Sequence, residues 1–184
     1  ELQELVRGLQ AGTQPDSAMK NLPAINMLNT RYLIYDLNQN PLKNNNALGN
    51  AWFVNDFKIV ENADEEIAAL KGLKPESTTI IDKRFEKFVD GKSFNKDVLG
   101  NITLTEYQPN YLKYAAKAAT EQLTVFSEVY YDKGWDAYID GEKVPHFRVN
   151  YILRGMVLPA GEHTVEFKFH PKSYFIGNKI SLAS

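Results

Sequence analysis

The residues best suited to chemistry lie close together between positions 130 and 154. The tyrosine and tryptophan residues of this stretch are Tyr130, Tyr131, Trp135, Tyr138 and Tyr151. Aromatic rings pack well against the C–H faces of sugars, and the charged groups of Asp136 and Arg154 suit sugar hydroxyls. The stretch therefore predicts a carbohydrate-binding site.

The competing interpretation is that these aromatic residues form the hydrophobic core of a sheet. Trp135, Ala137 and Ile139 share one face of a predicted strand, which favours a core position for Trp135. Tyr138 and Asp136 fall on the opposite face, where a ligand contact and a core position remain open alternatives. The predicted ligand-binding residues are Tyr138, Asp136, Trp135, Tyr130 and Arg154.

Metal binding is a second chemistry to consider. Asp132, Asp136 and Asp140 recur at every fourth position, and calcium prefers several oxygen ligands. The spacing does not match an EF-hand loop, and turn chemistry explains Asp132 and Asp140 without a metal. The histidines of the chain are His146, His163 and His170. Their positions suggest no converging ligand set, so we expect solvated surface histidines, no metal and no cofactor.

Sequence motifs for catalysis are absent. The chain has no cysteine, which excludes disulfides, thiolate nucleophiles and cysteine-ligated zinc. The first ninety residues have no glycine-rich phosphate loop, no histidine–glutamate pair at metal-ligand spacing and no Gly-x-Ser-x-Gly elbow. A hydrolase would need paired carboxylates facing one cleft, and the sequence gives no specific sign of them. The chain itself is therefore predicted not to be an enzyme.

Composition describes a folded chain without a basic surface excess. The hydrophobic fraction of 43% and the charged fraction of 24% are typical of globular proteins. Lysine and arginine number 21 against 23 aspartate and glutamate residues, for a formal net charge of -2. Without excess cations to neutralise phosphates, nucleic acid is excluded as a predicted partner.

Alternation of apolar and polar residues positions the aromatic stretch within a run of strands. Strands are predicted over 102–107, 111–117, 123–131, 135–139, 146–154 and 165–170. Asp140 and Gly141 supply the positive φ angles that a two-residue hairpin turn needs. Short strands spaced by roughly 8 to 12 residues are typical of an antiparallel sandwich.

The first half instead alternates helices with short strands, which indicates a small mixed α/β layer. Helices are predicted over 1–11, from near Pro23, over 64–71 and around 85–89. Strands are predicted over 31–35, 51–60 and 77–81, with a polar turn at 13–17 and an exposed loop at 38–50. The alternation slips at Asn55 and Asp56, which predicts a β-bulge, and Trp52 is expected in the core.

The predicted fold class is α+β. A mixed α/β subdomain covers residues 1–95, and an antiparallel β-sandwich of the jelly-roll or immunoglobulin-like kind covers 96–184. The chain begins at Glu1 without an initiator methionine and ends in an apolar and small-residue run that starts at Tyr174. We expect it to be a piece of a longer protein, cut where a membrane helix begins.

Several stretches of the sequence resemble one known family. They are Tyr130 to Gly141, Asn150 to Gly155, Pro159 to Phe169 and Pro171 to Gly177, followed by Asn26 to Ile34 and Ala47 to Val54. These stretches resemble the C-terminal region of the YfhO-type bacterial membrane proteins. The likeness covers most of the chain and is weakest between residues 55 and 100.

The resemblance implies a location and a parent activity. The family consists of large polytopic proteins related to membrane glycosyltransferases, which take sugar from a polyprenyl-phosphate carrier at the outer face of the cytoplasmic membrane. It implies an extracytoplasmic fragment with a membrane helix starting near Ile176, whose partner is the membrane-embedded part of the same polypeptide. It also implies that the catalytic carboxylates lie in loops outside this chain.

Two functions follow as hypotheses. The first is a non-catalytic accessory domain that holds a cell-envelope glycan near the membrane-embedded active site. The second is a structural or protein-interaction module of the membrane protein that binds no sugar. Exposure of the aromatic residues discriminates between them, because a buried set without a groove favours the second.

Overall fold

The computed structural model describes residues 2–10, 19, 22–34 and 36–171. Its first elements are α1 (Leu2–Gln10), α2 (Pro23–Met27), β1 (Tyr32–Leu33), β2 (Leu42–Lys43), β3 (Ala51–Val54), β4 (Asp56–Val60), α3 (Ala63–Ala69), β5 (Thr78–Asp82) and a 3-10 helix (Lys83–Phe88). They are followed by β6 (Asn101–Gln108), β7 (Tyr111–Ala118), β8 (Gln122–Val129), β9 (Trp135–Ile139), β10 (Glu142–Val144), β11 (Phe147–Val149), β12 (Leu153–Leu158) and β13 (Gly161–Phe169).

Two antiparallel sheets, built from the strands of the second half and from β3 of the first half, pack face to face in the sandwich that the sequence predicts. The five-stranded sheet has the order β10-β9-β13-β7-β6, and the four-stranded sheet has the order β11-β12-β8-β3. Alternate side chains of both sheets meet between them in a core whose largest members include Tyr114, Phe126 and Phe167. The rings of these residues meet edge to face, with centroids 4.9 to 6.2 Å apart. The predicted α+β class with a β-sandwich is confirmed.

The predicted hairpin at Asp140 and Gly141 is also confirmed. Both residues have positive φ angles, 52° and 88°, and β10 folds back on β9 beside them. The carboxylate of Asp140 accepts a hydrogen bond from the backbone N–H of Thr164 at 2.8 Å. The hairpin is thereby tied to β13, the central strand of the sheet.

The strand predicted over residues 51–60 is wrong as one element, because the chain changes sheets at its centre. β3 pairs antiparallel with β8 of the sandwich, whereas β4 pairs parallel with β5. The break lies at Asn55, where the sequence predicts an irregularity, and the N–H groups of Asn55 and Asp56 both donate to the carbonyl of Ser77. Local alternation locates the break but carries no information on the strand that each side will join.

Helix α3 crosses from β4 to β5 and begins earlier than the sequence suggests. Its N-cap is Asn62, two residues before the predicted start at residue 64, and the Asn62 side chain accepts from the N–H of Glu65 at 3.0 Å. Glu65 reaches back to the N–H of Glu61 at 3.1 Å, in the manner of a capping box. Gly72 follows the helix with a φ of 78° and allows the chain to reverse.

The strand predicted over 146–154 is interrupted by a tight turn. Asn150 and Tyr151 have φ angles of 49° and 73°, and β11 pairs with β12 through Val149 and Leu153. The side-chain oxygen of Asn150 accepts hydrogen bonds from the N–H of Ile80 and the hydroxyl of Thr79. These long-range hydrogen bonds hold the two turn residues in the left-handed region of backbone conformation. The alternation of apolar and polar residues in the sequence does not reveal this turn.

The N-terminal elements differ from prediction mainly in strand length. α1 and α2 confirm the predicted helices, and Pro23 lies in the first turn of α2. β1 has only two residues and pairs with β2, which lies inside the predicted loop. The predicted turn at 13–17, residue Tyr35 and the expected membrane helix near Ile176 lie outside the described residues.

A second core joins the two halves of the chain. Trp52 is 8% exposed, as its predicted core role requires, and its indole N–H donates to the carbonyl of Pro75 at 2.7 Å. The same cluster includes Ile81 from the first half and Leu123 and Val149 from the sandwich. The division of the chain at residue 95 stays a prediction. Within the described residues, no helix has the length and apolarity needed to cross a bilayer.

Candidate functional site

The candidate site lies on the outer face of the five-stranded sheet, near the hairpin of β9 and β10. Trp135, Ala137 and Ile139 point toward the core, so Asp136 and Tyr138 point to the outer side. In the strand register Lys143 of β10 and Glu166 of β13 lie beside Tyr138, and Lys168 lies beside Asp136. We call this surface the outer polar face, formed by Tyr111, Asp136, Tyr138, Lys143, Glu166 and Lys168.

Opposite charges alternate across the outer polar face. Lys143 donates to the carboxylate of Asp136, with Nζ 2.6 Å from Oδ1, and this bond raises the pKa of the Lys143 ammonium. Lys168 lies 3.3 Å from Glu166 and its ammonium is 4.7 Å from the centre of the Tyr138 ring. The face therefore offers an aromatic ring bordered by charged donors and acceptors.

Tyr111 closes the far side of this network. Its hydroxyl donates to the carboxylate of Glu166 at 2.5 Å. That hydrogen bond and the neighbouring negative charge raise the pKa of Tyr111 to about 12. The same hydrogen bond lowers the pKa of Glu166. At neutral pH the pair is thus a neutral donor and an ionised acceptor.

A pocket of about 530 Å³ opens beside the Asp136–Lys143 ion pair. Its walls come from the β8–β9 connection, from β9 and β10, and from the end of β13. The lining residues are Tyr131, Asp132, Lys133, Gly134, Asp136, Lys143 and His170. Tyr131 is 45% exposed and supplies an aromatic wall, while Asp136 and Lys143 belong both to the pocket and to the outer polar face.

Close packing beneath Gly134 shapes this pocket. A Cβ atom at Gly134 would lie 2.3 Å from the Phe169 ring and 2.9 Å from the Tyr131 ring, so only glycine fits. The N–H of His170 donates to the Gly134 carbonyl at 2.7 Å, and the N–H of Trp135 donates to the Tyr131 carbonyl at 3.3 Å. The floor of the pocket is therefore held by backbone hydrogen bonds.

Arg154 and Trp135 lie inside the sandwich, away from the outer polar face. Arg154 is 2% exposed, and its guanidinium carbon lies 4.3 Å from the Trp135 ring centre and 4.9 Å from that of Phe167. Its Nε donates to the carbonyl of Val129 at 3.0 Å, and burial lowers the pKa of Arg154 to about 10. A guanidinium in this position has no access to a sugar at the surface, so Arg154 is not part of the assembled site.

Tyr130 is likewise engaged by packing and not by the pocket. Its ring centroid lies 5.7 Å from that of Phe85 and 5.3 Å from that of His146. The expectation of a solvated surface histidine is wrong for His146, because burial lowers its pKa to about 4. The rings of Tyr130 and Phe167, with centroids 5.3 and 5.7 Å away, cover the His146 ring.

The remaining residues of the metal hypothesis are separated by their partners. Asp136 pairs with Lys143, while Asp140 binds the ring of His163 at 2.6 Å. This contact lowers the pKa of Asp140 and raises that of His163. Among the described residues, no group of three histidine or carboxylate side chains is arranged to hold a metal ion.

Of the predicted ligand-binding residues, the structure thus brings Asp136 and Tyr138 together on one surface. The sequence reasoning missed Lys143, Lys168, Glu166 and Tyr111 as their neighbours. Two signals could have found them. A two-residue turn at Asp140 and Gly141 places Lys143 opposite Tyr138, and the alternation of β13 places Glu166 and Lys168 on the outer face.

Comparison with known proteins identifies a family. A profile of the family described as "Bacterial membrane protein YfhO" matches residues 79–181, which is more than half of the chain and includes the whole outer polar face and its pocket. No curated protein and no solved structure gives a significant match to the chain.

Proposed function

The chain belongs to the YfhO family of bacterial membrane proteins, and from this premise we propose that it is a non-catalytic accessory domain that binds a cell-envelope glycan. In this proposal the domain lies at the extracytoplasmic face of the cytoplasmic membrane. Its partner is the membrane-embedded part of the same polypeptide, a glycosyltransferase-like protein that uses a polyprenyl-phosphate sugar. The glycan is held on the outer polar face and in the adjoining pocket.

The observation that carries the proposal is the position of the Asp136–Lys143 ion pair between the exposed ring of Tyr131 and the half-buried ring of Tyr138. Tyr131 stands on the pocket side of the pair and Tyr138 on the sheet side. A sugar needs a ring surface for its C–H groups together with a hydroxyl acceptor and a hydroxyl donor, which are the groups present here. The cavity of about 530 Å³ is large enough for a small saccharide unit.

The electrostatics favour binding over catalysis at this surface. Asp136 is neutralised by Lys143 at 2.6 Å and Glu166 is tied to Tyr111 and Lys168. General acid catalysis of glycoside cleavage needs a carboxyl group with a raised pKa facing the substrate, whereas the pKa of Glu166 is lowered. A carboxylate that stays ionised acts as a hydroxyl acceptor.

Titration of the isotope-labelled chain with envelope polysaccharide fragments tests the proposal. We expect amide shift changes that centre on Tyr131, Asp136, Tyr138 and Lys143, with dissociation constants in the millimolar range or below. Saturable changes confined to another surface would contradict the assignment of the site. No shift with any envelope polysaccharide at millimolar concentration would contradict glycan binding itself.

A second candidate function is a structural or protein-interaction module without sugar binding. The observation that favours it is a pair of exposed apolar side chains just before β6. Val98 and Leu99 are 86% and 92% exposed. Site-specific photo-crosslinking from position 99 in the full-length membrane protein tests it. A crosslink to the membrane-embedded part supports this function. If position 99 gives no crosslink to protein, this function is contradicted.

A further inference from the structure

The small hairpin of β1 and β2 carries exposed apolar side chains at its tip. Tyr32, Ile34 and Leu37 are 62%, 69% and 94% exposed. We call residues 31–34 and 36–43 the tip hairpin. Apolar side chains this exposed and this close together mark a surface that contacts something other than water.

The exposure does not arise from a hairpin detached from the protein. Leu33 and Leu42 face each other in the strand register and pack against the small core of the N-terminal helices. Because side chains alternate along a strand, Tyr32 and Ile34 face the opposite way, and Lys43 lies directly beside Tyr32. One face of the hairpin anchors it, and the other presents its apolar groups outward.

Hydrogen bonds around Asn44 hold the base of the tip hairpin. Asn44 is buried, and its side-chain amide donates to the Asn26 side-chain oxygen and to the carbonyl of Thr30, each at 2.9 Å. The N–H of Asn44 also donates to the carbonyl of Arg31 at 2.8 Å. The apolar tip therefore projects from a fixed base.

Positive charge borders the apolar tip. Arg31 and Lys43 are both exposed and line a pocket of about 470 Å³ together with Tyr32. Asp36 is the one acidic residue among residues 31–43. Cations beside exposed aliphatic and tyrosine side chains match the chemistry of a bilayer surface, which offers acyl chains beneath phosphate groups.

We propose that the tip hairpin docks on the surface of an anionic lipid bilayer. Ile34 and Leu37 enter the boundary between headgroups and acyl chains, Tyr32 lies at headgroup level, and Arg31 and Lys43 contact lipid phosphates. The membership of the chain in a membrane-protein family is consistent with a bilayer as the occupant. This docking does not depend on glycan binding, because the tip hairpin and the outer polar face share no residue.

A single fluorescent label tests the insertion. The chain contains no cysteine, so Leu37→Cys gives one attachment site for an environment-sensitive dye. With vesicles of phosphatidylcholine and phosphatidylglycerol at 3:1 we expect a blue shift and increased emission. The matched control is Leu99→Cys, because Leu99 is also about nine-tenths exposed but lies outside the tip hairpin. No shift at position 37, or equal shifts at both positions, overturns the proposal.

Charge variants test the role of the cations. We expect Arg31→Gln with Lys43→Gln to weaken binding to these vesicles by a factor of about 25, since each basic residue near an anionic surface contributes a factor of about 5. The control exchanges two exposed lysines elsewhere, Lys71→Gln with Lys74→Gln. Equal losses in both double variants overturn the proposal, as does a blue shift at position 37 that appears without vesicles when the protein concentration is raised.

Discussion

The guanidinium of Arg148 on β11 lies 2.5 Å from the carboxylate of Glu66 on α3, and it is also 3.3 Å from the carboxylate of Asp82 at the end of β5. Glu66 is 0% exposed, and its second oxygen accepts from the N–H of Tyr151 at 2.8 Å. One cation of the sandwich thus binds two buried carboxylates of the β4–α3–β5 unit. The contact between the two halves of the chain is polar at this point and apolar around it.

Replacing Arg148 should destabilise the whole chain. In Arg148→Met the buried carboxylate of Glu66 loses its cation, and we expect a loss of roughly 3 to 5 kcal/mol in the free energy of unfolding. Urea denaturation followed by circular dichroism measures it. The control is Lys83→Met, which breaks an exposed ion pair with Glu61 and should change stability little.

The pH dependence of Arg148→Met separates loss of charge pairing from loss of packing. Burial raises the pKa of Glu66 above its ordinary value of 4.5, so the folded state favours the protonated form. A group with a raised pKa adds stability below the unfolded value and loses it as pH rises. The variant should therefore be closest to wild type below pH 4.5, and a defect that is the same at pH 4 and pH 7 would contradict the electrostatic account.

His146 should make the protein sensitive to mild acid. Burial lowers its pKa to about 4 from an ordinary value of 6.5. Between these two values His146 is protonated in the unfolded chain and neutral in the folded chain. The stabilising effect of the neutral ring is complete above pH 6.5 and falls as pH drops toward 4, by up to about 3 kcal/mol. In His146→Phe, which keeps the aromatic contacts, this part of the acid sensitivity should disappear from urea titrations between pH 4 and pH 7.

His163 provides a control of opposite sign. Asp140 raises the pKa of His163, so its contribution is complete below pH 6.5 and is lost as pH rises through the raised value. The stability advantage of wild type over His163→Gln should accordingly shrink between pH 6 and pH 8.5. Parallel pH profiles for His146→Phe and His163→Gln would contradict both assignments.

Gly134 should be essential to the pocket. In Gly134→Ala the new methyl group must displace the Phe169 or Tyr131 ring, which should cost about 1 to 3 kcal/mol and move the aromatic wall. The control is Gly72→Ala, where the added Cβ would meet no atom within 4 Å. Its cost of about 1 kcal/mol comes from the φ of 78° alone. Thermal unfolding and glycan titration should show a binding defect in Gly134→Ala and none in Gly72→Ala.

The Asp136–Lys143 pair should contribute to glycan affinity but not to the stability of the fold. Asp136→Asn keeps the shape of the side chain but removes the charge, and we expect at least about tenfold weaker binding, since a charge-assisted hydrogen bond contributes about 1.5 to 3 kcal/mol. Calorimetric titration measures it. Lys92 and Glu121 form an exposed ion pair, with Nζ 2.8 Å from Oε1, that does not belong to the pocket. Glu121→Gln is therefore the matched control. Equal affinities for Asp136→Asn and wild type would contradict the proposed site.

Arg154 should affect stability and leave glycan affinity unchanged. Arg154→Lys keeps the charge but loses the planar stacking on Trp135 and Phe167, which should cost about 2 kcal/mol. Thermal unfolding measures the loss, and glycan titration below the unfolding transition measures the affinity. A selective loss of affinity in a variant of normal stability would return Arg154 to the ligand-binding set.

The sequence by itself determined several strands of the sandwich and one of its turns. The alternation along β13 is local and repeats every second residue, so Val165 and Phe167 point inward whatever the partner strands are. The turn at Asp140 and Gly141 was readable for the same reason, because its positive φ angles depend on residue type. From these, the outer position of Asp136 and Tyr138 followed without tertiary information.

Only the tertiary structure decided which surfaces those elements form. The insertion of β3 beside β8, the change of sheet at Asn55 and the burial of Arg154 all depend on residues far apart in the chain. An arginine on an outward register position looks the same in sequence whether it meets water or two aromatic rings. Periodicity reports the face of a strand, and only packing between sheets reports what covers that face.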